Sequence, residues 1–231
     1  MKKSIQYGLQ KIEFSLEFSN RKSLGIAVSP EMTVLVKAPY GASLSKIAEI
    51  FRKKAAWVLK QQSYFLAFYP KQPPKRYVSG ETHLYLGRQY RLKIRKDRQE
   101  SVRIVGKYIE VTCFDKTRVK ALLRVWYLRQ ARSKIDLYAE EWIERFKKYA
   151  VSPTATIIRT MSKRWGSCTA GKKIILNPEL IKAPRGCIEY VIVHELCHLV
   201  YRDHSKKFLA LQKREMPNWN KWKSRLETLL A

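Results

Sequence analysis

The sequence predicts an α+β fold, with a strand-rich N-terminal half holding one inserted helix and a mainly helical second half with a small sheet. Two observations carry this. Apolar residues recur at every second position through much of the first 115 residues, the period of a half-buried strand. Beyond Asp115 they recur every three to four positions over long stretches, the period of a helix packed on one face. That switch places the expected division between residues 1–115 and 116–231.

"KIEFSLEF" (11–18) alternates apolar and polar side chains and is the first expected strand. "SLGIAV" and "MTVLVKAP" give two more across residues 23–39, joined through "SPE", where Pro30 suits a turn. Ser43 is an N-cap candidate for a helix whose stripe is Leu44, Ile47, Ala48, Phe51, Ala55, Val58 and Leu59. Three prolines in "YPKQPPKRYVSG" (69–80) end it in a loop. "THLYLGRQYRLKIRK", "ESVRIVG" and "KYIEVTCF" then supply three or four short strands, with turns at Gly87, Asp97 and Gly106.

From 117 to 150 the chain is expected to be helical almost throughout, with Leu122, Val125, Trp126 and Ile135 as apolar contacts, until Ser152 and Pro153. "TATIIRTM" and "KKIILNPEL" are strands around the loop "SKRWGSCTAG". "APRGCIEYVIVHELCHLV" (183–200) is a helix with Pro184 near its start, and two terminal helices are separated at Pro217. No internal repeat and no low-complexity segment is visible.

A hydrophobic fraction of 45% with 12% aromatics excludes a disordered chain. No run approaches the ~18–20 apolar residues that cross a bilayer, and the N-terminus lacks the apolar core of a signal peptide. A cytoplasmic protein without a membrane partner is therefore expected. Cys113, Cys168, Cys187 and Cys197 form no C-x-x-C pair and are expected as free thiols. The net charge of +28 is spread along the chain: 22 basic against 9 acidic residues up to 115, then 25 against 10. Such a field favours nucleic acid or another polyanion as a partner, although no RRM or helix-turn-helix motif accompanies it.

The chemistry concentrates in "VIVHELCHLVYRDHSKKF" (191–208), which holds three of the four histidines. His194 and His198 stand one helical turn apart and can aim two imidazoles at one zinc ion. Glu195 beside the first ligand suits a carboxylate that takes a proton from the reacting water, the H-E-x-x-H arrangement. A continuous helix would carry His204 ~15 Å beyond His194, so the chain must turn back after Leu199. Asp203 tolerates the turn and Ser205 caps a following helix, which returns His204 as third ligand with a fourth position open. Glu189 and Asp203 are candidates to hydrogen-bond a ligand's second nitrogen. Cys197 is expected in the core, Met216 in the core or at a helix end, and His83 is structural or exposed.

"MSKRWGSCTAGKKIILNPEL" followed by "IEYVIVHELCHLVYRDHSKKF" resembles the bacterial YgjP-like (DUF45) metallopeptidases, and "KAAWVLKQ" and "GETHLYLGRQYRL" extend the likeness over most of the chain. The resemblance implies a zincin-like catalytic half, one zinc ion on His194, His198 and His204, and Glu195 as general base. It also implies kinship in motif with SprT- and WLM-type proteases that act on DNA–protein crosslinks. Arg164 to Cys168 match the family's R-W-G-S-C segment. Arg164, Trp165 and Tyr201 are the cleft candidates, with Arg164 and Tyr201 considered as oxyanion donors. Metzincins share the histidine spacing but place glycine where this chain has Tyr201. An endoribonuclease of ribosomal RNA maturation shares the three histidines but lacks the glutamate. The expected activity is peptide hydrolysis on a polypeptide substrate, extended along the strand "KKIIL". The alternative is a metal-dependent nuclease or nucleic-acid-binding protein that exploits the charge.

Overall fold

The computed structural model describes residues 1–8, 10–29, 31–66, 74–162 and 164–230. The turn expected at Pro30 and the first part of the proline-rich loop, up to residue 73, lie outside them. The chain forms two compact units, Met1–Gln72 and Pro73–Ala231.

In the first unit, β1 (Lys2–Tyr7), β2 (Gln10–Ser19), β3 (Gly25–Val28) and β4 (Val34–Pro39) form a sheet in the order β1-β2-β4-β3. β2 and β4 run parallel, and both edges are antiparallel. Helix α1 (Leu44–Leu66) follows, its first turn capped by the Ser43 hydroxyl, which accepts from the Lys46 amide. Ile12, Phe14, Leu16, Val34, Val36 and Ala38 point to one face and bury against Ile47, Phe51, Ala55 and Val58. Phe14 and Phe51 stack at 4.6 Å. Strand β1 was not expected: Ile5 is its one buried residue, too little to mark a strand by alternation.

The second unit opens with the same arrangement. β5 (Thr82–Tyr85), β6 (Arg88–Lys96), β7 (Ser101–Val105) and β8 (Tyr108–Cys113) take the order β5-β6-β8-β7, with β6 and β8 parallel. Tyr90, Leu92 and Ile94, with Ile109, Val111 and Cys113, stand where the first sheet has its inner residues. α1 begins at Leu44 after Ala38, and α2 (Val119–Phe146) begins at Val119 after Cys113, at equal spacing. The repeat invisible in the residues is thus present in the topology, because apolar alternation alone maintains it. One expected contact differs: Val125 of α2 is 67% exposed.

A third sheet, β10-β11-β9, joins β9 (Ala155–Ile158), β10 (Gly166–Cys168) and β11 (Lys173–Leu176). α3 (Arg185–Val200), α4 (Lys206–Glu215) and α5 (Trp219–Leu230) complete the unit. A single buried cluster runs from Tyr85 and Leu92 through Trp126 and Ile135 to Ile188, Leu196 and Phe208. The division expected at 115/116 falls inside this cluster; the chain divides at 72/73. Local hydrogen bonds show why. The β5–β6 turn, with Leu86 and Gly87 both at positive φ, donates from its two amides to the carbonyls of Ile181 and Lys182 just before α3. Gly87 is also required sterically, since a Cβ would lie 2.5 Å from Pro184. Among the described residues no helix is long and apolar enough to cross a membrane.

Candidate metal centre

α3 carries His194, Glu195 and His198 in its last two turns and ends at Tyr201, whose backbone is extended. The chain then reverses, and α4 starts on Ser205, whose hydroxyl accepts from the Phe208 amide. His204, in the reversal, is brought back to the other two. The ligand atoms of His194, His198 and His204 lie within 4.8 Å of one another, and the ring centroids are 4.8–5.1 Å apart. Phe208, fully buried, lies against all three rings at 4.6–5.1 Å.

Hydrogen bonds settle the tautomers. His194 Nδ1 is 2.9 Å from Gln212 Oε1, and His198 Nδ1 is 3.2 Å from the Tyr201 carbonyl oxygen. Both oxygens only accept, so both Nδ1 atoms carry the proton and each Nε2 presents its lone pair. His194 and His204 face each other through Nε2 at 3.1 Å. Zinc–nitrogen bonds of ~2.0–2.1 Å in a tetrahedron put ligand nitrogens about 3.3 Å apart, so the His194–His204 spacing suits a zinc ion, with all three ligand atoms within 4.8 Å of one another. Burial pushes the His194 imidazole down to about 4 and lowers that of His198 as well, which keeps both neutral, the form that ligates.

Gln212 is the residue that sequence reasoning missed. It is almost fully buried, and its Nε2 has no partner among the described residues. Glu189 instead pairs with Arg185 at 2.7 Å, and neither it nor Asp203 meets a ligand Nδ1. No local signal marks a side chain eighteen positions from its partner. α4 is held at its far end too, where buried Glu215 accepts from Tyr149 and from Lys148. Those bonds outweigh burial and leave the Glu215 carboxyl below its usual range.

Glu195 is buried, and desolvation pushes its carboxyl up to about 7, against the pull of the Cys168 amide and the Arg164 charge. Its carboxylate lies on β10. A Cβ at Gly166 would come within 2.6 Å of Glu195 Oε1 and 2.8 Å of Val191, so the glycine of "RWGSC" makes room for the acid. In the antiparallel ladder Ser167 pairs toward β11 while Gly166 and Cys168 turn their amides to the free edge. Asn177, buried, anchors the approach: its amide donates to the carbonyls of Met161 and Arg164.

The other candidates separate. Arg164 is exposed, with its charge felt at Glu195. Trp165 is half-buried against the core. Tyr201 contributes its carbonyl, and its ring packs on the core. Cys197 is fully buried, its thiol pushed up to about 12, and Met216 is buried; both are core residues as expected. His83 is buried and held by Glu81 at 2.9 Å. The strand "KKIIL" proves to be central, bonded to β10 on one side and β9 on the other, so it has no edge to offer an extended substrate. β10, inside the expected loop, is the edge beside Glu195.

The family model of the YgjP-like metallopeptidase domain matches residues 22–229 of this chain. No curated protein matches it.

Proposed function

The chain belongs to the YgjP-like metallopeptidase family, and from that premise we propose a zinc-dependent peptidase that hydrolyses peptide bonds with Glu195 as general base. One observation carries the reading: three imidazoles converge, two of them turned by Nδ1 hydrogen bonds so that Nε2 faces the others, with the buried carboxylate of Glu195 next along the helix against β10. His194, His198 and His204 would hold the ion. When bound, zinc supplies Lewis acidity that polarises the scissile carbonyl and makes water acidic enough to react near neutral pH.

Gln212 and the Tyr201 carbonyl keep two imidazoles in the ligating tautomer and orientation. Glu195, held by the Cys168 amide, takes the proton of the attacking water and delivers it to the leaving amine. At the outer edge of β10 the Cys168 amide is engaged by Glu195, and the backbone groups of Gly166 and the Cys168 carbonyl are what an extended polypeptide can pair with, which would lay the scissile bond beside Glu195. All of these residues fall between 164 and 212, in the stretch expected to form the zincin-like domain.

Incubation of the protein with casein, with and without chelator, tests the reading. Cleavage that vanishes with chelator and falls by ~10²–10⁴ in Glu195→Gln, with zinc content unchanged, is the expected outcome. Equal cleavage by wild type and Glu195→Gln would remove Glu195 from its role. Chelator-sensitive cleavage of RNA or DNA beside inert casein would install the nuclease instead.

A further inference from the structure

We propose that the outer face of the second sheet, which carries Arg91, Lys93, Arg95 and Arg103 together with Tyr108, binds single-stranded nucleic acid. Alternation defines the face. Leu92, Ile109 and Val111 are buried on the inner side, so Arg91, Lys93 and Arg95 of β6, Arg103 of β7, and Tyr108 and Glu110 of β8 point outward. Register places Arg91 opposite Tyr108, and Glu110 between Lys93 and Arg103. The face thus carries four cations to one carboxylate, which pairs with Arg95 and Arg103.

That carboxylate organises the face rather than neutralising it. Glu110 is 2% exposed, forms an ion pair with Arg95 Nε at 2.7 Å and accepts from Arg103 Nη2 at 2.8 Å. The two arginine side chains stay 55% and 65% exposed. Arg103 is pinned through Nε and Nη2 and Arg95 is held by charge, which leaves N–H groups of both exposed guanidinia for phosphate oxygens. The row Arg91, Lys93, Arg95 follows one strand, so successive cations can meet successive phosphates of an extended chain. Tyr108, half-buried beneath Lys93 Nζ at 5.5 Å, offers an aromatic surface within the cationic field. A positive track combined with a ring for stacking is how single strands are held without sequence preference.

The first sheet is an internal control. It has the same strand order, yet on its outer face Lys11 pairs with Glu13 and Lys37 with Glu17. The uncompensated face is therefore a property of these residues and not of the fold.

Anisotropy of a labelled thymidine oligonucleotide on the full chain, titrated with salt, tests the proposal. Arg91 and Lys93 are outside the Glu110 ion pairs, so Arg91→Gln/Lys93→Gln should fold normally by circular dichroism. It should weaken binding at least tenfold at low salt and lower the slope of log K against log salt by about 1.4. Tyr108→Leu should weaken binding about tenfold with the slope unchanged. Lys11→Gln/Lys37→Gln on the first sheet should match wild type. Equal losses in the two double variants would overturn the proposal. So would a wild type that ignores the oligonucleotide and sediments with phosphatidylserine vesicles, which would make the face a lipid contact.

Discussion

The two four-stranded sheets share their order, their parallel central pair and the helix that follows, yet they differ in what closes the core. In Met1–Gln72 one helix covers the sheet, and the buried cluster is complete within the unit. In Pro73–Ala231 the equivalent sheet and α2 share one apolar core with α3 and α4, which position the histidines. The outer faces differ as well: one pairs Lys11 and Lys37 with a carboxylate each, the other sets four cations around one carboxylate. One topology therefore serves as a sealed unit in the first case and as a foundation for a site in the second. The side chains decide between the two roles.

The contrast can be broken most forcefully at Phe51, which is fully buried and stacked on Phe14. Phe51→Ala should cost about 3–5 kcal/mol in denaturant unfolding of the first unit while zinc affinity stays at the wild-type value. A fall in zinc affinity would show that the first core is not energetically separate from the histidines.

Next in size is Gln212→Leu, which keeps an apolar filling but deletes the acceptor for His194 Nδ1. Zinc affinity measured by competition with a chromophoric chelator should fall about 10–100-fold, with the fold retained. An unchanged affinity would reduce Gln212 to packing.

A smaller effect is expected at Glu215. Its carboxyl is held below the ordinary range, so its contribution is present above pH ~4.5 and fades as acid protonates it in the folded chain. The stability gap between wild type and Glu215→Gln should therefore narrow as pH falls below that value; a gap independent of pH would contradict the ion-pair role. Smallest of all, Lys37→Ala removes an exposed pair at 3.8 Å and should move unfolding by no more than about 0.5 kcal/mol.

The sequence made the long elements legible because their burial is periodic. β2, β4, α1 and α3 each display an apolar face that must be covered, and Ser43 and Ser205 announce their helices by hydroxyl capping. The histidine triad was legible for a related reason: helix spacing fixes two members, and the position of the third requires a reversal. What escaped is what depends on partners far along the chain. β1 buries one side chain, and β10 has three residues that form a strand only because β11 lies beside them. Gly166 is understandable only once Glu195 occupies the space above it, and Gln212 only once α4 folds back. The division at 72/73 was hidden because the second sheet has the alternation of the first, while its allegiance is set by the Leu86 and Gly87 hydrogen bonds to residues near 181.

Phe208 has a consequence of its own. An inflexible aromatic floor under three imidazoles, locked by the Ser205 cap at one end of its helix and by Glu215 at the other, denies the rings any inward collapse. Rings backed in this way would be expected to keep their arrangement with or without an ion. Such a socket would act as a durable mould, set by the polypeptide before any ion arrives.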